Sequence, residues 1–403
     1  MTGARTSQLA INGGTPVRGP DKSWPVWPVF DDAECQALAD VAQSGRWWYG
    51  ERIKQFEQEY AAFQDTKHCV TCTSGTAALE IALRVLGIGQ GDEVIVPAYT
   101  FIATASAVMW VGATPVFADV DDSWNLNPEL IEPAITLRTK AIMPVHFAGR
   151  VADMDSISAI ADRHGLNVIE DACHSWGSKW KGKGTGALGL GGAFSFQFSK
   201  NITAAEGGAI LSNDDAFAEA CRSVANCGRG GEGSEWFVHV RLGTNARMTE
   251  FQAAVLSAQL TRLEEQTLRR EKNAALLDNE LGAIEGLTPQ PGDDRITRRA
   301  YHLYCLRIRP EEFGCPREQF CSAAQAEGLP IAAGYGRPLY QQPVFANYGG
   351  GHDYTQYHCP VSEDLCYASG MWIFHSALLG SEADMRDIVA IVKKIKHHVS
   401  ELS

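Results

Sequence analysis

Ala193-Phe-Ser-Phe-Gln-Phe-Ser-Lys-Asn-Ile-Thr-Ala-Ala-Glu-Gly-Gly-Ala-Ile-Leu211 is the stretch on which the fold turns. Phe194, Phe196 and Phe198 alternate with Ser195, Gln197 and Ser199. A period of two predicts a strand over 193–199 with one buried face. Lys200 follows where that strand stops, and a polar, glycine-containing turn leads into a second apolar run, Ala209–Leu211. The surrounding section, from 67 to about 212, repeats the theme of a short apolar strand followed by a helical segment. Glu93–Pro97, Thr114–Ala118, Ala141–Val145 and Asn167–Glu170 read as strands, and Thr76–Leu86 and Met154–His164 as helices. Val- and Ile-rich strands alternating with helices imply an α/β fold with a mostly parallel sheet covered on both faces.

Before this section, residues 1–30 hold four prolines and Gly13-Gly14, an irregular arm. A helix is expected from Asp31 to Gly45, with Cys35, Leu38, Ala39 and Ala42 on one face, followed by the aromatic loop Trp47-Trp48-Tyr49-Gly50. After it, Phe251, Val255, Leu256, Leu260 and Leu263 keep helical spacing and predict one long helix near 248–280. Tyr301–Ile308 reads as a strand, and Arg317–Glu327 and Glu382–Val399 as helices. The expected division is an arm (1–30), a large domain (31–265) and a smaller C-terminal α+β domain (266–403) linked by the long helix, since a chain of 403 residues exceeds one ordinary core.

Composition narrows the function. The net charge is −13 and no basic block is present, which argues against nucleic acid, because phosphate neutralisation needs clustered Lys and Arg. The closest approach, Lys393-Lys-Ile-Lys-His-His398, suits the last turn of a helix, where cations complement the dipole. Eleven cysteines, an odd number, with no apolar signal core near Met1–Pro20, point to free thiols and a cytoplasmic location. Cys69-Val-Thr-Cys72 lacks the second ligand pair that zinc requires, so buried thiols are expected and no metal. No run of about 18 apolar residues suggests a membrane span.

Ligands of parallel α/β sheets gather at the carboxyl ends of the strands. The polar residues there are Thr73-Ser-Gly-Thr76, Pro97-Ala-Tyr-Thr-Phe101, Asp171-Ala-Cys-His174 and Lys200. Taken singly, Ser74 caps a helix, Asp171 is another cap, and Lys200 is a loop lysine. Together they form a helix-start anion site, an aromatic, a carboxylate and an amine at successive strand ends. Pyridoxal 5′-phosphate demands that set: a lysine for its aldehyde, a carboxylate for its pyridine nitrogen, a helix N-terminus for its phosphate and a flat side chain for its ring. Burial would also lower the lysine pKa and activate the amine. Gly184-Thr-Gly-Ala-Leu-Gly189 spells a dinucleotide fingerprint, but no helix follows it, so that reading fails its context. Gly228-Arg-Gly-Gly-Glu-Gly233 reads as a loop placed to cover the site.

These pieces resemble the DegT/DnrJ/EryC1/StrS sugar aminotransferases of fold-type I pyridoxal-phosphate enzymes, over nearly the whole chain. The similar motifs include Thr73-Ser-Gly-Thr-Ala-Ala-Leu79, Gly91-Asp-Glu-Val-Ile-Val-Pro97, Thr100-Phe-Ile-Ala-Thr104, Ile169-Glu-Asp-Ala-Cys-His-Ser-Trp-Gly177, Lys200 with Glu206-Gly-Gly208, and Gly243-Thr-Asn-Ala-Arg-Met-Thr-Glu250. The resemblance implies that Lys200 binds the cofactor aldehyde and that Asp171 partners the pyridine nitrogen. It likewise implies that His174, one helical turn on, contacts the ring hydroxyl and that Phe101 stacks on the ring. Gly75, Thr76 and Ser195 would hold the phosphate, and Asn245 would reach the phosphate of a neighbouring subunit, hence a homodimer with shared active sites. A related dehydratase branch has histidine at the lysine position; Lys200 implies transamination.

The arm, Gly45-Arg-Trp-Trp48 and Trp372-Ile-Phe-His-Ser-Ala-Leu-Leu379 are most similar to enzymes of aminocyclitol and aminohydroxybenzoate pathways. Gln197-Phe-Ser-Lys200 departs from the Gln-(Gln/Asn)-Gly-Lys of that subgroup, His174 replaces its frequent glutamine, and Lys200–Gly208 resembles the nucleotide-sugar branch. The expected reaction moves an amino group from glutamate or glutamine to the ketone of a cyclitol or sugar. Trp47, Trp48 and His375 are the candidate acceptor contacts. Two alternatives stand beside it: elimination or aromatisation of a cyclic ketone, and a non-catalytic cofactor-binding regulator, for which no basic helix-turn-helix is visible.

Overall fold

The computed structural model describes residues 8–231, 233–235 and 237–402. Its central sheet has seven strands: β1 (His68–Cys72), β2 (Glu93–Pro97), β3 (Thr114–Ala118), β4 (Thr139–Ile142), β5 (Asn167–Asp171), then, after the short hairpin β6 (Lys179–Trp180) and β7 (Lys183–Gly184), β8 (Gly191–Ser195) and β9 (Gly208–Ser212). The order is β1-β9-β8-β5-β4-β2-β3. Strands β3, β2, β4, β5 and β8 run parallel, whereas β9 runs against both its neighbours. Two reversals make β1 parallel to β8, so β1, β2, β5 and β8 end at one edge of the sheet.

Around the sheet lie α1 (Asp32–Ser44), α2 (Glu51–Phe63), α3 (Gly75–Val85), α4 (Ala103–Trp110), α5 (Met154–His164), α6 (Asp215–Ala225) and the 33-residue α7 (Glu250–Gly282). Local chemistry starts them. Asp31 with Glu34, and Thr249 with Gln252, close reciprocal capping boxes at α1 and α7, and Ser74 caps α3 by accepting from the Ala77 N–H. The second sheet joins β10 (Leu287–Pro289), β12 (Leu303–Ile308), β14 (Gly370–Phe374) and β13 (Ile331–Ala332), while β11 (Ile296–Arg298) pairs with β6. Helices α8 (Pro310–Phe313), α9 (Arg317–Ala326), α10 (Pro343–Tyr348), α11 (Pro360–Asp364) and α12 (Glu382–His397) lie in the C-terminal part of the chain, where α10 packs Phe345 against Phe117 of β3. Helix α7 places Ala253, Leu256 and Leu263 in a core beneath the first sheet and Ala274, Leu277 and Leu281 in a core against the second. Between the sheets, Tyr99, Trp124, Phe147, Leu303, Cys305 and Trp372 form a further cluster.

Several expectations shift. The strand around Phe194 ends at Ser195, not 199, and all five of its residues are buried. Phe194 and Phe196 pack edge-on against Tyr60, whereas Phe198 is exposed. Its backbone has already turned away, the Phe198 N–H bonding to Ala205 O. The strand expected from Ala141 runs instead over Thr139–Ile142, because Pro144 has no N–H for the ladder. The strand expected from Tyr301 begins at Leu303, after Tyr301 adopts a positive φ of 47°. Helix α1 forms as expected, but Cys35, Leu38 and Ala42 are exposed; it buries Glu34 and Val41, since Arg262 and Gln259 of α7 pair with the Glu34 carboxylate. The segment around His174 is a turn and not a helix. The arm is anchored: Leu9 sits in the second core, and the buried Glu327 carboxylate accepts from the N–H groups of Ala10 and Val17.

Candidate active site

The shared edge of β1, β2, β5 and β8 gathers much of the expected set. Asp171 ends β5 and is buried. Its Oδ2 accepts from Thr104 Oγ1 at 2.7 Å and its Oδ1 from the Cys173 N–H at 3.2 Å. Thr104, on α4, is steadied by Thr100 at 3.1 Å. Asp171 forms no ion pair with any described residue, so a buried carboxylate is left with neutral donors and room for a cationic partner.

At the start of α3, Ser74 serves Ala77, while the N–H groups of Gly75 and Thr76 bond to no described residue. Gly75 is required by closeness. A Cβ there would lie 2.7 Å from Cys173 Sγ and 2.8 Å from Ser195 Cβ. The same figures place Ser195 beside this turn, with its Oγ accepting from the Gln197 N–H. Free N–H groups at a helix start, next to a serine hydroxyl, make a site for an anion.

Lys200 closes a turn, its N–H bonding to Gln197 O at 2.9 Å, and its Nζ lies 5.8 Å from the ring centre of the buried Trp176. Burial lowers the lysine pKa, against the opposing pull of Cys173 and Asp171. Beyond it stand three buried imidazoles. The ring of His174 is 4.4 Å from that of His302, and His302 is 5.6 Å from His375. His174 Nδ1 accepts from the Ala148 N–H at 3.4 Å, leaving Nε2 to carry the proton. Burial, with Lys200 next, holds His174 well below the ordinary histidine range; burial and cationic neighbours do the same to His302 and His375.

Phe101 follows β2, is 54% exposed and lines an open cavity of about 390 Å³ with Thr100, Tyr335, Arg337 and Gln342. An aromatic face left open next to Thr100, whose partner Thr104 holds Asp171, suits a stacked ring. His375 does not fit as an acceptor contact, because both of its ring nitrogens are engaged by Arg270 and Ser199. Trp47 and Trp48 are exposed rather than core, yet they pack at the N-terminus of α7, against Phe251 and beside Thr249, outside the Lys200 cluster of their own chain. Asn245 is likewise exposed and bridges Asn226. The loop 228–233, of which Glu232 lies outside the described residues, lines a separate cavity of about 900 Å³ with Tyr49, Glu57 and Arg222, not the Lys200 cluster. Thr104, Trp176, Asn201, Arg270 and His302 were not singled out by sequence. Thr104, Trp176 and Asn201 fall inside quoted stretches, and Arg270 and His302 carry no local signal.

The profile of the DegT/DnrJ/EryC1/StrS aminotransferase family matches residues 28–393. The chain belongs to that family. Among its relatives, the L-glutamine:2-deoxy-scyllo-inosose aminotransferase of Micromonospora echinospora is 39% identical, covering 98% of this chain and 99% of its own. The 3-amino-5-hydroxybenzoate synthase of Amycolatopsis mediterranei (strain S699) is also 39% identical, over 92% of this chain and 96% of its own. A crystal structure of a 3-amino-5-hydroxybenzoic acid synthase superposes with a TM-score of 0.87 at 36% identity, covering 96% of this chain and all of that one. This member of the DegT/DnrJ/EryC1/StrS family is therefore an aminotransferase with the mostly parallel α/β architecture of its pyridoxal-phosphate-dependent relatives. Among the described residues no helix is long and apolar enough to cross a membrane.

Proposed function

We propose that this aminotransferase uses pyridoxal 5′-phosphate to move an amino group from glutamine or glutamate onto the ketone of a cyclitol or sugar, a keto-cyclitol first. The observation that carries the cofactor reading is Asp171, a buried carboxylate held by Thr104 with no ion pair to any described residue, at the same sheet edge as Lys200 and the N–H groups of α3 that bond to no described residue. When bound, pyridoxal phosphate supplies an aldehyde carbon that takes up nitrogen and a pyridinium that accepts an electron pair. Asp171 would hold the proton on the ring nitrogen, and Thr104 keeps that carboxylate aimed. Gly75, Thr76 and Ser195 would donate to the phosphate, joined by Asn245 of a second copy, and Phe101 would cover the ring. His174, protonated on Nε2, would donate to the ring hydroxyl. Lys200, its pKa lowered by burial, would be the amine that holds the cofactor through its aldehyde and, once released by the incoming donor amine, would take the proton from the donor α-carbon.

The keto-cyclitol acceptor and the glutamine donor are supported by the relative named L-glutamine:2-deoxy-scyllo-inosose aminotransferase. A second reading, aromatisation of a cyclic ketone, is favoured by the relatives named 3-amino-5-hydroxybenzoate synthase. The deciding measurement starts from purified chain incubated with pyridoxal phosphate. An absorbance band that borohydride bleaches, absent in Lys200→Ala, is expected. Under single turnover, glutamine should convert the bound cofactor to its amine form, and a keto-cyclitol should restore it. No bleachable band would end the cofactor reading; a band that glutamine and glutamate leave unchanged would favour the second reaction.

A further inference from the structure

Lys200 sits on a turn whose neighbours Phe198 and Ser199 are exposed, a poor place from which to aim a reacting amine. Yet the residues on either side of it are held from the second sheet. Ser199 O accepts from His375 Nε2 at 3.0 Å. On the other side, Asn201 Oδ1 meets His302 Nδ1 at 3.0 Å, while Asn201 Nδ2 donates to Ala300 O at 2.9 Å. His302 immediately precedes β12 and His375 immediately follows β14, and Leu303 pairs with Phe374 in that ladder. One strand pair therefore presents both imidazoles, stacked 25° from parallel.

We propose that His375 and His302 are positioning residues for Lys200, clamping the chain on both sides of it, with Arg270 fixing His375 in the one tautomer able to do so. A guanidinium only donates, so Arg270 Nη2, 3.1 Å from His375 Nδ1, requires that nitrogen bare. A carbonyl only accepts, so His375 Nε2 must carry the proton it gives to Ser199. The same reasoning sets His302: the Nδ2 bond to Ala300 fixes which end of the Asn201 amide faces the ring, and the Oδ1 presented there only accepts, so His302 Nδ1 carries the proton. Protonating His375 on both nitrogens would break the Arg270 bond.

This accounts for Arg270 itself. It is fully buried, and it forms no ion pair and its Nη1 no hydrogen bond with any described residue; burial alone pulls its pKa down to about 9. Its remaining bonds go to His375, through Nδ1 and the backbone carbonyl at 3.4 Å. Trp27 of the arm seals the arrangement, with its ring 4.5 Å edge-on from His375 and its Nε1 donating to Phe198 O at 2.8 Å. The groups facing His375 are thus Arg270, His302, Lys200 and Trp27, and none is an anion.

The inference rests on Lys200 as the reacting amine, and its test is read first without cofactor. In full-length chain stripped of cofactor, the rate of Lys200 acetylation by acetic anhydride, measured by peptide mass spectrometry, should change at least about fivefold in His375→Phe. In His375→Gln, whose amide can both accept from Arg270 and donate to Ser199, it should return to within about twofold of wild type. Loaded enzyme should show kcat lowered about ten- to a hundredfold in His375→Phe, with the donor KM within about twofold, as expected when a reacting group is misplaced without loss of binding. Nitrogen-15 spectra of histidine-labelled wild type need no variant; they should show His375 as the neutral Nε2–H tautomer and His302 as the Nδ1–H tautomer. Unchanged Lys200 labelling in a folded His375→Phe, or the opposite tautomer of His375, overturns the proposal. Failure of the borohydride test with these tautomers intact would instead remove the reading of Lys200 chemistry.

Discussion

Lowering the pH from 7.0 to 5.5 should strip stability from the cofactor-free chain through its buried imidazoles. His174, His302 and His375 are all buried and all held well below the ordinary histidine value, burial being the main cause. The sign follows from linkage: the unfolded chain binds a proton near pH 6.5 that the folded chain refuses, so stability is full above that value and falls as pH drops below it. For a group that stays neutral in the fold, the loss between pH 7.0 and 5.5 is slightly above ~1 kcal/mol. Three such groups give about 4 kcal/mol, a large part of the 5–15 kcal/mol typical of a folded protein. The carboxylates whose pKa is lowered, such as Asp293 and Asp384, titrate below this window and do not contribute to it. Calorimetric unfolding at pH 5.5 in buffers of different ionisation enthalpy counts the protons taken up, about 0.9 for each such histidine. The decisive comparison is with His375→Gln, which should take up about 0.9 proton fewer than wild type. A difference under about 0.3 proton would mean that His375 is already charged, or freely charged, in the fold, and would refute the reasoning.

Thr104→Val removes the hydroxyl that bonds Asp171 Oδ2 at 2.7 Å; losing a hydrogen bond to a charged group costs about 1.5–3 kcal/mol, so pyridoxal phosphate titrations should show affinity down about tenfold or more. Gly75→Ala drives a Cβ against Cys173 and Ser195, so phosphate-dependent binding should fail while far-ultraviolet circular dichroism stays unchanged; wild-type affinity would exclude this turn from the site. Glu327→Gln uncharges a fully buried carboxylate bonded to Ala10, Val17 and Lys394, and the arm should loosen at a cost of about 3 kcal/mol, read as faster proteolysis near Thr15–Pro20 and a lower unfolding midpoint.

The strand-end chemistry was legible because each piece is local. An N-cap serine, a glycine before a helix, a carboxylate and a lysine at strand ends each announce themselves within a few residues, and Lys200, Asp171, Gly75 and Ser195 do converge on one edge. The apolar face expected on α1 shows the limit of such reading. Cys35 and Leu38 have helical spacing, but the face that packs is decided by Arg262 and Gln259, far along the chain, which claim Glu34. His375 is the sharper case: it was legible as a residue of interest near the site, while its role depended on what occupies its two nitrogens.

What the sequence determined by itself is the alternation of strands and helices, the sheet edge at which the candidate site gathers and the lysine placed there, because periodicity and capping are written in neighbouring residues. The tertiary structure alone decided that the second sheet brings His302 and His375 to the two sides of Lys200, and that a buried arginine sets the tautomer of one of them. A hydrogen bond between distant segments leaves no periodic trace in either segment. Its partners are chosen only when β12 and β14 have paired and α7 has packed across them.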